Sequence, residues 1–249
     1  MCNKRWEFTG ETKIHFGITL RRIRAAVEFK LKCGIVIAKG ELGGWIEKES
    51  NLSDDAMVYG NAEVYGDARV CGDARVSGNA RVYEDARVCG NAMVSGDARV
   101  YGDARVYGNA EVYGNARVYG DARVCGNAIV YGNAVVYDDA VVYDDARVCG
   151  NAEVYDDARV YGYAMVSGNA RVCGDARVKS SKDYCVYKNT WSSFRWFTYT
   201  KSNKMWSVGC FYGTGSELIA KAYKDSEKYG KCYEAIVKAQ EAIEKAMEV

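Results

Sequence analysis

Residues 103–120 read DARVYGNAEVYGNARVYG, which is three six-residue units that each place Val two positions after Ala. The same spacing recurs from Ala56 and Val58 to Ala176 and Val178 in 21 consecutive units. Alternating apolar and polar residues within a unit predict a short half-buried strand, and the Gly-Asn or Gly-Asp pair predicts a turn at positive φ. Six-residue repeats of this kind are typical of a parallel β-helix, in which each unit forms one side of a coil. Ala and Val are therefore expected to face inward.

Three sides make a coil of 18 residues, so residues 18 positions apart should stack. The sequence supports this period, because outward residues recur in columns at that spacing. The columns are Asp67, Asp85, Asp103, Asp121, Asp139, Asp157 and Asp175; Arg69, Arg87, Arg105, Arg123, Arg159 and Arg177; Tyr65, Tyr83, Tyr101, Tyr119, Tyr137 and Tyr155; and Asn61, Asn79, Asn115, Asn133, Asn151 and Asn169. Seven coils at a strand spacing of about 4.8 Å predict a rod of roughly 34 Å. We expect the aspartates to cap turn amides and the asparagines to bond along the stack.

The segments that flank the rod are less regular. Residues 1–45 are predicted to form a β cap over the open end of the stack, with strands at Trp6–Phe8, Ile14–Leu20, Ile23–Phe29 and Ile35–Ala38. Residues 46–179 form the rod, since Ile46 and Leu52 keep the six-residue phase.

Residues 180–249 are predicted to form a small α+β module. Its predicted elements are three antiparallel strands (Tyr184–Lys188, Phe194–Thr200 and Met205–Tyr212) and two helices (Ser216–Tyr229 and Lys231–Met247), with Gly230 ending the first helix. The fold class is thus mainly β.

Composition limits the function. The rod carries 12 Arg and 19 acidic residues between positions 53 and 178, whereas both flanks are basic, so nucleic acid is a disfavoured partner. The chain has no apolar run long enough to span a bilayer, and its start, Met1-Cys2-Asn3-Lys4, shows no signal peptide, so a cytoplasmic location is expected. The ten cysteines show no CxxC spacing, which favours reduced thiols over a disulfide framework. Without histidine partners near them, no metal site is expected.

Two resemblances follow from these motifs. The spacing of an aliphatic and a small residue resembles the hexapeptide repeat of left-handed parallel β-helices, and that resemblance implies the handedness. The stretches FTGETK (8–13), IRA (23–25), LGGWIEKE (42–49), NLS (51–53), WSS (191–193) and GCFYGTG (209–215) resemble bacteriophage and prophage hexapeptide-repeat proteins, often labelled polymer-forming or putative-transferase proteins. In such proteins we would expect His at the position of Arg22.

Catalysis by the rod is not expected. Hexapeptide acyltransferases, which the rod resembles, use a histidine base on a coil, whereas the single histidine here, His15, lies outside the repeat. No inserted loop interrupts the units to build a pocket, so we predict no catalytic residue, no cofactor and no enzymatic activity. Ice binding is also disfavoured, because an ice-binding β-helix would be expected to carry rows of Thr and this rod contains no Thr.

The tyrosine column is the first candidate site. Tyr and Arg are enriched at protein interfaces, so a partner surface is expected on this side of the rod, for a host protein or a second copy of the chain. Its candidate residues are Tyr65, Tyr83, Tyr101, Tyr119, Tyr137, Tyr155, Arg81, Arg99 and Arg117. The alternative is that these side chains stack only because cross-strand contact favours them.

A second candidate site binds a small anion, such as a nucleotide or a sugar phosphate, through the C-terminal module. The segment Gly213-Thr214-Gly215-Ser216-Glu217 joins the third predicted strand of the module to its first predicted helix, and the unpaired amides of a helix N-terminus attract anions. Arg195, Trp196 and Trp206 on the neighbouring strands could add charge and a stacking surface. The alternative is an ordinary helix start beside core tryptophans.

Overall fold

A computed structural model describes residues 5–31, 34, 36–53, 55–191 and 194–247. Met1–Lys4, Ile35, Ser192 and Ser193, which carry parts of the expectations above, lie outside these residues. The described chain is a parallel β-solenoid of seven coils, preceded by a strand region and followed by a module of four strands and two helices.

The N-terminal region has five strands, which are β1 (Trp6–His15), β2 (Ile18–Ala25), β3 (Phe29–Lys30), β4 (Val36–Ile37) and β5 (Leu42–Ile46). The predicted strand Ile14–Leu20 is wrong, because Phe16 and Gly17 have φ of 47° and 80° and turn the chain into the β1–β2 hairpin. The predicted strand Ile23–Phe29 is also wrong, since β2 ends at Ala25 and Phe29 pairs with Ile37 instead.

Every six-residue unit of the rod contributes one two-residue strand, and these 21 strands, β6 to β26, form three parallel sheets. The tyrosine face contains Glu63–Val64, Arg81–Val82, Arg99–Val100, Arg117–Val118, Val135–Val136, Glu153–Val154 and Arg171–Val172. The arginine face contains Arg69–Val70, Arg87–Val88, Arg105–Val106, Arg123–Val124, Val141–Val142, Arg159–Val160 and Arg177–Val178. The third face contains Met57–Val58, Arg75–Val76, Met93–Val94, Glu111–Val112, Ile129–Val130, Arg147–Val148 and Met165–Val166.

The register confirms the 18-residue coil. On the tyrosine face Arg81 pairs with Arg99, and Val82 pairs with Val100. The Ala and Val of every unit from Ala56 to Val178 are fully buried and form one continuous core. A buried Val stabilises the fold by roughly 1.5 to 3 kcal/mol relative to an exposed one, so stability accumulates coil by coil.

Turn positions at the corners have positive φ, as expected, and four of them hold an acidic residue instead of Gly. Glu84 is one of these, and its carboxylate accepts a bond of 2.7 Å from the amide of Gly102 in the next coil. Asp144 and Asp156 bind the amides of Gly162 and Gly174 in the same way. The predicted capping column, Asp67 to Asp175, is therefore misplaced: Glu84 and Asp156 lie one position before it, and Asp144 lies at another corner of the coil.

The asparagine columns bond along the stack, as predicted. Asn115, Asn133, Asn151 and Asn169 form a chain in which each Nδ2 donates to the next Oδ1, at 3.0 to 3.4 Å. Asp97 accepts from Asn79 and ends the preceding chain, because a carboxylate has no hydrogen to donate.

The N-terminal region continues the tyrosine face and covers the first coil. Strand β2 pairs with β5, and Trp45 of β5 pairs in parallel with Glu63 of the first rung. Ile23 and Ile46 are buried in the solenoid core, and the indole of Trp6 donates to the carbonyl of Ala56 at 3.2 Å. A short 3₁₀ helix, Glu49–Asn51, then leads to Leu52, which bridges to Val70 and starts the arginine face.

The C-terminal module has four antiparallel strands, β27 (Tyr184–Lys188), β28 (Trp196–Thr200), β29 (Met205–Val208) and β30 (Phe211–Thr214). The predicted third strand, Met205–Tyr212, is wrong because Gly209, at φ 60°, begins a turn that divides it. Helix α1 (Gly215–Asp225) and helix α2 (Glu227–Met247) break at Ser226. Gly230 lies inside α2, where a Cβ would meet the Tyr223 ring at 2.4 Å, so this glycine allows close helix packing instead of ending a helix.

Hydroxyl groups of the module close the C-terminal edge of the solenoid. The backbone N–H groups of the last strands point along the stack, where no further coil supplies a carbonyl to accept from them. Thr198 Oγ1 accepts from the amide of Arg171 at 2.8 Å, and Ser202 Oγ accepts from Arg177 at 2.7 Å. Ser181 Oγ and the Tyr184 hydroxyl accept in the same way from Met165 and Ser167. The edge is thereby capped by side chains instead of by another strand.

One disulfide joins Cys71 to Cys89 on the arginine face, which corrects the expectation that all thiols are reduced. The two residues occupy the same position in successive coils, and their Cα atoms lie 4.7 Å apart, within the range that a disulfide requires. Within the described residues, neither helix combines the length and the apolar composition needed to cross a bilayer.

Candidate functional site

The six tyrosines of the tyrosine face form an unbroken stack. Ring centroids of successive members, from Tyr65 to Tyr155, lie 4.8 to 5.1 Å apart, and the ring planes deviate by at most 10°. The stack arises because the repeat places one tyrosine after the inward Val of every third unit, and the coil rise of about 4.8 Å falls within the centroid separations that offset-stacked aromatic rings adopt. Five of the rings are half-exposed, so the stack is a flat aromatic strip along the rod.

Tyr65 differs from the other five. Only 8% of it is exposed, because the β1–β2 hairpin bends over the first rung. There the ring contacts His15 edge to face at 5.8 Å. Of the predicted partner-binding tyrosines, Tyr65 is thus covered by the chain itself, and the open strip runs from Tyr83 to Tyr155.

A row of outward side chains runs beside the tyrosines, with arginine at its centre. Arg81 reaches Glu63 at 3.5 Å, whereas Arg99 and Arg117 have no carboxylate within ion-pair distance among the described residues. Both side chains are exposed. The middle of the tyrosine face therefore combines an aromatic surface with unneutralised positive charge.

The tyrosine hydroxyls remain protonated far above neutral pH. Burial in the stack, together with Tyr101 and Tyr65 on either side, raises the pKa of Tyr83 to about 12. Burial likewise raises the pKa of Tyr101 and Tyr119. The strip therefore presents neutral hydroxyl groups that can both donate and accept hydrogen bonds.

The only histidine of the sequence, His15, lies at the end of β1 and contacts the first strand of the tyrosine face, from which it is distant in sequence. His15 Nε2 is 3.6 Å from Glu63 Oε2, and Lys13 Nζ is 2.7 Å from Glu63 Oε1. Glu63 is 7% exposed, so the hairpin closes over this carboxylate. Sequence reasoning missed the cluster because no local pattern shows that a hairpin folds back across two strands.

The predicted anion site is divided between two clefts. Trp206 and Gly215 line a cleft of about 470 Å³ together with Tyr199, Lys204, Gln240, Glu241, Glu244 and Lys245. Arg195 and Trp196 line a separate cleft of about 270 Å³ together with Asn151, Glu153, Asn169, Arg171 and Gly209. The structure does not bring Arg195 and Trp196 together with the glycine segment.

The start of helix α1 is already occupied by its own cap. Thr214 is the N-cap, since its Oγ1 accepts from the amide of Glu217 at 3.3 Å. The Glu217 carboxylate accepts from the Thr214 amide at 2.8 Å, and this bond holds the pKa of Glu217 below its usual value. At Gly215 a Cβ would meet Val237 at 2.6 Å, so this glycine serves the contact between the helices. Trp206, 2% exposed, belongs to the module core.

The described residues contain no group of three His, Cys, Asp or Glu side chains that could hold a metal ion. Six of the described cysteines, Cys125, Cys149, Cys173, Cys185, Cys210 and Cys232, are free.

Comparison with known proteins agrees with the architecture. A family model described as YdcK Beta solenoid repeat matches residues 74–85, 86–102, 98–112, 110–126, 122–138 and 130–144. All of these segments lie within the stacked coils, and the chain is a β-solenoid repeat protein. No curated protein matches the sequence.

Proposed function

We propose that this chain is a non-catalytic scaffold that binds a protein partner along the tyrosine face. The observation that carries the proposal is the strip from Tyr83 to Tyr155, with Arg99 and Arg117 unneutralised beside it. Rigid aromatic rings and arginines are the side chains that dominate binding energy at protein interfaces.

The chemistry of the strip selects the partner. Exposed guanidinium groups favour carboxylates, and neutral tyrosines favour apolar and aromatic side chains. The partner segment is therefore an extended, acidic and aromatic stretch that follows the rod axis. The stack rises by four steps of about 4.8 Å between Tyr83 and Tyr155, so roughly 19 Å of partner can lie along it.

The resemblance to phage and prophage repeat proteins supports a setting in the cytoplasm of a bacterial host, with a host protein as the partner. If no host protein binds this face, self-association of the chain along the same face is the alternative that the test below measures. End-to-end stacking through the sheet edges is disfavoured, because the hydroxyl groups of the module already occupy the last amides.

Binding is tested with the double variant Arg99→Gln and Arg117→Gln. Both residues are exposed, so the solenoid should fold normally. A partner captured from bacterial lysate by the full chain is purified, and its affinity for each variant is measured by titration calorimetry. The matched control carries Arg105→Gln and Arg123→Gln on the arginine face, which removes the same charge from the same two coils.

We expect the tyrosine-face variant to bind at least tenfold more weakly and the arginine-face control to bind as the wild type does. Sedimentation of the chain alone measures self-association. Equal losses in both variants, or no partner and no self-association, would show that the tyrosine face is not an interface.

A further inference from the structure

The cleft of about 270 Å³ lies where the last rungs of the tyrosine face meet the C-terminal module. Its walls come from both parts, with Glu153 and Arg171 on the solenoid and Arg195, Trp196 and Gly209 on the module. It therefore exists only because the module docks on the rod.

Two guanidinium groups converge on Gly209. Arg171 Nη1 donates to the Gly209 carbonyl at 2.8 Å, and its Nη2 lies 3.3 Å from Glu153 Oε1. Arg195 packs across the other side of Gly209, where a Cβ would lie 3.2 Å from its Cδ. The absence of a side chain at residue 209 thus makes room for the second guanidinium.

Positive charge exceeds negative charge in the cleft. Glu153 neutralises Arg171, but the Arg195 side chain has no ion-pair partner within the described ranges. Lys188 Nζ lies 5.1 Å from the centroid of the Trp196 ring, but Lys188 does not line the cleft. The charge of Arg195 is left without a carboxylate in a partly enclosed space, where an anion is bound more strongly than on an open surface.

Neutral groups complete the walls. Asn169 is the last member of its amide chain: its Oδ1 accepts from Asn151, and its own Nδ2 donates to no described residue. This amide is an open donor at the cleft. The half-buried Trp196 ring provides an apolar wall against which a flat group can stack.

We propose that this cleft binds a small phosphate monoester that carries a flat ring. The phosphate pairs with the Arg195 guanidinium and accepts hydrogen bonds from Arg195 and Asn169, while the ring packs on Trp196. The cleft volume is close to the lower limit for pockets that bind drug-sized ligands, which excludes larger molecules from full enclosure. This function is separate from protein binding and does not depend on it.

The test is titration calorimetry of the full chain with phenyl phosphate at low salt. We expect saturable binding with one site per chain. Inorganic phosphate should bind about fivefold more weakly because it lacks the ring. Benzoate, with a single negative charge, should also bind more weakly than phenyl phosphate.

Three variants identify the site. Arg195→Gln should weaken phenyl phosphate binding about tenfold or more, because a charge-assisted bond is lost. Glu153→Gln should strengthen binding, since it removes the only carboxylate lining the described cleft. Arg177→Gln, which removes an exposed charge from the arginine face, should change the affinity less than twofold.

Absence of saturable binding up to about 10 mM phenyl phosphate would overturn the proposal. Equal losses in Arg195→Gln and Arg177→Gln would also overturn it, because binding would then follow the total charge of the chain. Benzoate binding as tight as that of phenyl phosphate would reject the phosphate assignment.

Discussion

Replacing Tyr101 with Ser tests how much the aromatic stack contributes to stability. Tyr101 is in contact with Tyr83 at 4.9 Å and with Tyr119 at 4.8 Å, so the substitution removes two stacked pairs. Each pair is worth about 0.5 to 1.5 kcal/mol beyond the area it buries, which gives a loss of roughly 1 to 3 kcal/mol. For a chain of this size the melting temperature should fall by about 2 to 12 °C.

The measurement is thermal and urea denaturation followed by circular dichroism. Tyr101→Phe keeps the ring and should melt close to the wild-type temperature. Tyr59→Ser is the matched control, because Tyr59 holds the same place in its six-residue unit but contacts no other ring in the described chain. Its loss should be below about 0.5 kcal/mol, as is usual for surface substitutions.

Equal destabilisation by Tyr101→Ser and Tyr59→Ser would refute the reasoning, since ring stacking would then contribute nothing measurable. A large loss in Tyr101→Phe would refute it as well, because the hydroxyl would then account for the effect. If stacking does stabilise the rod, serine variants of the tyrosines cannot separate stability from binding, and for this reason the interface test uses arginines.

Three further predictions concern the coil, the hydroxyl groups and the capped edge. Deletion of residues 103–120 removes one whole coil and should leave a folded protein that small-angle scattering shows to be one layer shorter. Deletion of nine residues should abolish folding, and equal damage by both deletions would contradict the 18-residue coil. The pKa of Tyr83 is raised to about 12 in the folded chain, above the unfolded value of about 10. The stability due to this group is therefore complete below pH 10 and is lost as the pH rises to 12, which melting temperatures and the absorbance of tyrosinate would show. Thr198→Val leaves the part-buried amide of Arg171 without its acceptor and should cost about 1 to 3 kcal/mol in urea unfolding. Ser202→Ala, at the exposed amide of Arg177, should cost less, and the reverse order would contradict the capping role.

The solenoid could be predicted from the sequence because its rules are local. The inward position of Ala104 and Val106 follows from alternation within one unit, and the stacking of Tyr101 on Tyr119 follows from the 18-residue period. The period fixes which residues meet, whatever the rest of the chain does.

The caps and the second site could not be predicted in this way, because tertiary contacts decide them. The sequence favours a helix end at Gly230, but packing against Tyr223 requires a glycine within the helix. Arg195 and Trp206 are close in sequence, yet they line different clefts because one contributes to the junction with the rod and the other to the module core. The pairing of His15 with Glu63 depends on the bend of a hairpin that no repeat encodes.

The hydroxyl-capped edge determines whether this chain remains a single solenoid or adds further layers and grows into a fibre. Identical tyrosines and asparagines stacked at the strand spacing have the chemistry of cross-β filaments, in which each layer is a template for the next. Nothing within the repeat limits the number of layers. The limit comes from Thr198, Ser181 and Tyr184, whose hydroxyl groups accept from backbone amides that would otherwise donate to the carbonyls of another layer. A chain truncated after residue 178 would lack these groups, and its open end would be a nucleus for filament growth.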